Sequence, residues 1–218
     1  MKSGIIKLIR AVCFTALLIS LVVTSSYMLA PKDNTKESGI VNPSANGFFS
    51  EPKGSIDVSV IGNSDAYSGF SPMELWNNFG YTSYVSGEGR QTVAQAYSML
   101  NRVLKVQTPK VVILETDGFF TDSKVVESAA KIVNASLGSS FSVFQYHDRW
   151  KKVKPEEFFK KPHYTGHCAP KGQWMSNDVK GYYGKEYMKK TDKSAKIPFG
   201  TKRSAEAFVK ICRNKNIE

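Results

Sequence analysis

Gly62-Asn63-Ser64-Asp65 is the first stretch of this sequence whose residue types suit chemistry. It follows directly on Ile56–Ile61 (IDVSVI), a short β-branched run of strand character. A small residue after a strand lets the backbone turn sharply and exposes the serine hydroxyl at the strand's carboxyl end. A serine so placed is a nucleophile when a base lies near and backbone N–H groups face the developing oxyanion. A simple turn is the competing reading of the same residues. The bases on offer are His147, His163 and His167. Asp148 follows His147, but in an extended segment neighbouring side chains face opposite ways, so the aspartate need not orient the imidazole. Arg149 and Trp150 suit an anionic or sugar substrate, because arginine pairs with phosphate through two hydrogen bonds and tryptophan presents a flat apolar face. An arginine packed along an aromatic ring is the alternative. Asn63, Asp65 and Gln91 complete the candidate substrate contacts.

His163, His167 and Cys168 invite a metal reading, with Cys212 as the fourth ligand a tetrahedral site wants. Adjacent His-Cys ligation is awkward, and Pro162, Gly166 and Pro170 mark an irregular loop. The reading is therefore no metal and no cofactor, with a Cys168–Cys212 disulfide left open if the compartment is oxidising.

These residues need a scaffold. Ser71-Pro72 opens a helix over Pro72–Asn78, with serine as cap and proline in the first turn. Tyr81–Val85 is a second strand candidate, followed by Gly87-Glu88-Gly89. Over Thr92–Val106, apolar residues recur at three- and four-residue steps from Val93 to Leu104, the pattern of an amphipathic helix that Thr108-Pro109 ends. Lys110–Leu114 (KVVIL) is a continuous apolar strand of the kind buried on both faces. Ser123–Leu137 reads as helix, and Ala205, Phe208, Ile211 and Cys212 mark a last one. This alternation predicts an α/β fold with a mostly parallel sheet and helices on both sides, in which ligands sit beyond the carboxyl ends of the strands. Ile217-Glu218 reads as the first step of a further strand, so the sheet is expected to be incomplete at the C-terminus.

The N-terminus sets the compartment. Residues 1–10 form a basic flank with Lys2, Lys7 and Arg10, and residues 11–30 (AVCFTALLISLVVTSSYMLA) carry no charge. At 1.5 Å per residue the uncharged run spans about 30 Å, the thickness of a bilayer core. The basic flank keeps the N-terminus inside and exports the rest of the chain. A cleaved signal peptide competes, with Thr24 and Ser26 as small residues, but Met28 before Ala30 makes a poor cleavage site and favours an uncleaved anchor. Residues 31–53, rich in Asn, Ser, Lys, Pro and Gly, read as a flexible stalk, and 54–218 as the α/β domain.

GNSDAYSGFSPMELW, the SGEGRQ segment and PKVVILE together resemble the SGNH/GDSL hydrolase superfamily. They are most similar to its membrane-anchored, extracellular bacterial branch of DltD-like teichoic-acid D-alanylation proteins, and Tyr146–Trp150 (YHDRW) with Glu156-Glu157-Phe158 is similar to a signature of that branch. The resemblance covers Ile56 to the end, with gaps. It implies a flavodoxin-like three-layer α/β/α fold, preceded here by one transmembrane helix, and metal-free ester hydrolysis or acyl transfer. It implies Ser64 as nucleophile, with the Ser64 amide and the Gly89 backbone N–H as oxyanion donors. It further implies an acyl ester of a cell-envelope glycan or teichoic acid as substrate and a membrane-bound O-acyltransferase as partner. Two departures stand out. The family's asparagine after the central strand is replaced by Glu115-Thr116-Asp117-Gly118, and ionised carboxylates accept hydrogen bonds rather than donate them. The family's Asp-x-x-His dyad does not occur, so the base is expected beyond Glu218 in a longer chain. A non-catalytic or truncated binding or assembly protein of the envelope is the second reading.

The composition fits this setting. The 218 residues are 41% hydrophobic and 22% charged, which excludes wholesale disorder, collagen and coiled coil. Residues 1–146 hold 12 basic and 11 acidic side chains, and residues 147–218 hold 18 and 8, so the net +11 lies almost wholly in the last third. Such a bias suits a polyanion or simply a lysine-rich surface. Gly181–Met188 (GYYGKEYM) interleaves aromatic and basic residues, but an exported, tethered chain seldom meets nucleic acid. An envelope polyanion is the expected partner.

Overall fold

The computed structural model describes residues 2–120, 137–138, 140–151, 153–177 and 196–218. The predicted helix over Ser123–Leu137 and the Gly181–Met188 stretch fall largely or wholly outside them. Helix α1 (Lys2–Leu29) comes first. Residues 3–29 are long and apolar enough to cross a membrane, with a mean hydropathy of 2.3; most of the helix is exposed, and only its carboxyl end is packed against other parts of the chain.

The protein beyond α1 is mixed α/β. Strands β1 (Val58–Gly62), β2 (Ser83–Gly87) and β3 (Val111–Leu114) form a parallel sheet in the order β2-β1-β3. Val58 lies opposite Ser83 on one side and Val111 on the other, so the three carboxyl ends point the same way. Parallel neighbours need crossovers, supplied here by helices α2 (Ser64–Gly69), α3 (Pro72–Phe79) and α4 (Val93–Val103). The predicted Ser71 cap is in place, its Oγ accepting from the Glu74 amide at 3.4 Å, and Thr92 adds a reciprocal capping box with Gln95. Helix α5 (Ser142–Tyr146) and helix α6 (Phe199–Asn214) come last.

Alternation along β1 divides the core. Ile61 joins Tyr84, Met99, Leu100, Val103, Phe208 and Cys212 in one cluster, where α4 and α6 meet. Val58 and Val60 join Ala66 and Val85 in a second, against Tyr67 and Leu75 of α2 and α3. A strand covered on both faces is mostly apolar, as IDVSVI is; the exception inside β1 is Ser59, 1% exposed.

Two expectations need correction. The stretch 31–53 is not a flexible stalk. It holds a 3₁₀ helix, Ser44–Ser50, that delivers Phe48 (0% exposed) into the core, where the ring meets Tyr84 edge-on at 6.2 Å. Its polar residues serve as internal hydrogen-bonding groups. The fully buried Asn34 donates to the Asn46 and Gly166 carbonyls at 3.1 Å each, and its Oδ1 accepts from the Gly166 amide at 2.8 Å and from Ser50 Oγ at 3.1 Å. Gln107 donates to the Phe48 and Pro52 carbonyls at 3.1 and 3.2 Å. Second, β3 is only half-buried, with Ile113 41% exposed, because it stands at one side of the described sheet. The Cys168–Cys212 pairing that the sequence left open is not made: both are free thiols. Both pack against the first core cluster, and burial raises the Cys212 pKa.

Each outer strand gains backbone bonds from a non-strand segment. The Val85 amide donates to the Lys171 carbonyl at 2.9 Å. There Lys171 (φ 50°) and Gly172 (φ 85°) turn through the left-handed region, and a Cβ on Gly172 would lie 1.9 Å from the Val85 oxygen. On β3, the Val112 amide donates to the Glu218 carbonyl at 2.7 Å and the Glu218 amide to the Lys110 carbonyl at 3.0 Å. Glu218 thus takes up the strand-like pairing expected of it.

Candidate functional site

The loops that leave the three strands meet at one end of the sheet. The first is the Gly62–Ser64 turn. A Cβ on Gly62 would come within 2.3 Å of Glu115 Cβ and 3.0 Å of Ala66 Cβ, so only glycine lets α2 begin there. Asn63, 3% exposed, is the helix cap: its Oδ1 accepts from the Asp65 amide at 2.9 Å. Ser64 is the first residue of α2 and is solvent-exposed. Its side chain makes no hydrogen bond among the described residues.

Glu115 and Asp117, the carboxylates at the position of the expected asparagine, hold this turn. Glu115 Oε2 accepts from the Asn63 amide at 3.3 Å, and Glu115 Oε1 accepts from the Asp117 amide. Asp117 Oδ2 accepts from Asn63 Nδ2 at 2.6 Å. Both carboxylates point at backbone and amide donors and fix Asn63, the residue next to the candidate nucleophile. Asn63, expected from the sequence as a substrate contact, is instead a buried cap, and its acidic partners lie more than fifty residues on and carry no local signal.

The second loop runs from Gly87 to Gln91. The Glu88 amide donates to the Gly62 carbonyl at 3.2 Å and to Gln91 Oε1 at 3.2 Å. Gln91 is 3% exposed. Its side chain closes the turn and does not face substrate, which corrects its expected role. Arg90 takes φ 56°, leaving Gly89 exposed at the apex. A Cβ on Gly89 would meet only the Tyr67 hydroxyl, at 3.9 Å. Packing within the protein therefore does not require this glycine. The third loop, around Asp117–Phe119, closes on the second: a Cβ on Gly118 would sit 2.7 Å from the Gln91 carbonyl.

A cleft of about 390 Å³ opens beside these loops, lined among others by Tyr67, Gly87, Gly89, Gln173 and Trp174. Tyr67 and Ser68 lie three and four residues beyond Ser64, on the same face of α2. The Trp174 amide donates to the Tyr67 carbonyl at 2.8 Å, which seats the 168–175 loop over this helix. Sequence reasoning misses Tyr67 and Trp174, because nothing local marks them as cleft residues. Asp65 is exposed in the first turn of α2, a position that suits an acidic residue at the positive end of a helix.

The other candidates lie elsewhere. His147, Arg149 and Trp150 belong to a 3₁₀ helix, His147–Lys151, packed at the carboxyl end of α1. The segment is helical rather than extended, so His147 Nε2 and Asp148 Oδ1 come within 3.7 Å, too long for a hydrogen bond. Arg149 is 7% exposed; Nη1 donates to the Leu29 carbonyl at 2.5 Å and Nη2 pairs with Glu157 Oε2 at 2.9 Å. Its fork is committed to structure, not to a phosphate. Trp150 is 68% exposed. The His163 amide donates to the Lys32 carbonyl at 2.8 Å, and among the described residues no three His, Cys, Asp or Glu side chains gather as metal ligands.

These features define a mixed α/β protein with a parallel three-stranded sheet and an N-terminal apolar helix. No family model, curated protein or solved structure matches the chain.

Proposed function

We propose that the protein is a membrane-anchored, extracytoplasmic serine esterase or acyltransferase of SGNH type, with a flavodoxin-like three-layer domain. It acts on acyl esters of a cell-envelope glycan or teichoic acid, alongside a membrane-bound O-acyltransferase. One observation carries this reading: Ser64 is exposed at the carboxyl end of the central strand, on a turn fixed by Asn63, Glu115 and Asp117 and one helical turn before Tyr67 and Ser68, which line a cleft together with Gly89. Ser64 Oγ attacks the acyl carbonyl carbon, and the carbonyl π pair moves onto oxygen. The Ser64 and Gly89 amides face that oxygen, and collapse of the adduct expels the alcohol and leaves an acyl-serine. The serine proton passes to a general base, the role the SGNH resemblance gives to the histidine of an Asp-x-x-His dyad, and from it to the leaving alcohol; water or an acceptor hydroxyl then attacks the acyl-serine and restores the serine. Tyr67 and Trp174 offer faces for sugar rings.

A second reading, a non-catalytic envelope-binding protein on the same scaffold, draws on the acceptor-only carboxylates at Glu115 and Asp117. Labelling with a fluorophosphonate followed by peptide mass spectrometry separates the two. An adduct on Ser64 is the esterase result. Absence of an adduct on folded protein favours the binding protein.

A further inference from the structure

The carboxyl end of α1 is surrounded by residues from far along the chain. The Val143 amide donates to Ser26 Oγ at 3.3 Å, and Arg149 Nη1 donates to the Leu29 carbonyl at 2.5 Å. Lys32 Nζ donates to the Tyr27 carbonyl at 2.6 Å and lies 3.8 Å from the centre of the Tyr27 ring. The last carbonyls of a helix have no partner within it and carry partial negative charge, so two cations are suited to this place. Burial, and then the neighbouring Arg149 charge, lower the Lys32 pKa.

This fixes where the collar over 141–161 sits relative to a bilayer. The uncharged run 11–30 covers about 30 Å as helix, so its end at Tyr27–Ala30 reaches the far edge of the hydrocarbon layer. Whatever packs on Ser26 and Leu29 is then at headgroup depth. The collar's exposed residues match that zone. Phe144 (45%), Trp150 (68%) and Phe159 (88%) are large apolar side chains in water. Lys151, Lys154, Lys160 and Lys161 are exposed between them. Residues 141–161 hold six basic and three acidic side chains, and one of the acids, Glu157, is already paired with Arg149. Aromatic rings with interspersed lysines are the composition that headgroup interfaces favour.

We propose that residues 141–161 form a membrane-surface collar that seats the domain on the bilayer, with Trp150, Phe144 and Phe159 in the headgroup zone and the four lysines against anionic lipid phosphates. The proposal rests on α1 crossing the membrane and is independent of Ser64 chemistry, so either can fail alone. Trp76 and Trp174 are 52% and 60% exposed, so replacing them with phenylalanine is expected to leave the fold intact, and the fluorescence readout does not depend on the cleft that Trp174 lines. This permits full-length chains that keep only Trp150 or only Trp76.

Both chains go into nanodiscs of phosphatidylcholine with phosphatidylglycerol, with and without headgroup spin-labelled lipid. Trp150 fluorescence is expected to fall about twofold or more with the label, while Trp76 stays unchanged. Substituting Lys151, Lys154, Lys160 and Lys161 by Gln, or adding high salt to the unsubstituted lysines, is expected to weaken the quenching. Trp150 as unquenched as Trp76 overturns the collar and points to a protein partner on that face. Quenching indifferent to phosphatidylglycerol, salt and the lysines overturns the phosphate contacts. A chain released from membranes by alkaline carbonate overturns the proposal together with the anchor.

Discussion

Replacing Phe48 with Ala tests whether residues 31–53 belong to the folded domain. Phe48 is 0% exposed, with Phe49 at 4.4 Å and Tyr84 at 6.2 Å between ring centres. The backbone around it is held by Gln107, itself 1% exposed, through the Phe48 and Pro52 carbonyls. A site fixed on this many sides collapses little when the ring is removed. The lost transfer energy and the cavity therefore add, for a cost of about 3–5 kcal/mol. In a domain of this size each kcal/mol lowers the midpoint by about 2–4 °C, so a fall of roughly 6–20 °C is expected. The assay is thermal unfolding of the full chain in detergent, monitored by near-UV circular dichroism at a fixed scan rate. Val41→Ala is the control in the same stretch, because Val41 is 96% exposed and its loss should shift stability by less than about 0.5 kcal/mol. If Phe48→Ala and Val41→Ala unfold together with the wild type, the segment is a tether after all and its assignment to the core is wrong.

The remaining predictions concern the turn, the loop contacts and the collar. Asn63→Asp removes the donor to Asp117 and adds a third carboxylate beside Glu115 and Asp117. It should cost about 2 kcal/mol or more in urea unfolding at neutral pH, and a neutral result would refute the positioning role of those carboxylates. Asp33 accepts from the Thr165 hydroxyl at 2.6 Å and from the Thr165 and Asn34 amides, each at 2.7 Å. Burial alone would raise its pKa, but these bonds outweigh it and hold the carboxyl below its ordinary 3.8. A depressed carboxyl stabilises above its ordinary pKa, and that contribution fades as pH falls through the folded value. The stability gap between wild type and Asp33→Asn should therefore be constant from pH 7 to 5 and shrink below about pH 4; a gap that widens in acid would contradict the assignment. Arg149→Ala leaves the Leu29 carbonyl and the half-buried Glu157 without their donor. It should destabilise the collar by about 2–3 kcal/mol, seen as faster amide exchange over 141–158 with the sheet unchanged; uniform exchange would show that Arg149 does not secure it.

Strands and helices between Ile56 and Leu114 are legible in the sequence because their apolar periodicity matches the faces they bury, and because Ser71 announces a helix start. Gly62-Asn63-Ser64 is legible as a turn for the same reason. The stretch 31–53 is not, since its order comes from buried Asn34 and Gln107 amides satisfying backbone groups, and such residues have the same composition as a linker. Arg149 and Gln91 are misread because a polar side chain that closes a turn or caps a helix cannot be told in sequence from one that faces a ligand. Glu115 and Asp117 read in the sequence as defects in an oxyanion site. Three-dimensional contact with Asn63 shows that they orient the serine turn.

The central claim is that Ser64 is a nucleophile, and ester cleavage by the full chain against Ser64→Ala measures it directly. Purified protein in detergent is assayed with an activated acetyl ester, and circular dichroism confirms that both forms are folded. The account predicts that Ser64→Ala falls at least about a hundredfold, to the rate of buffer, because an exposed serine on the α2 turn can lose its hydroxyl without loss of fold. Equal rates in the two proteins would contradict it.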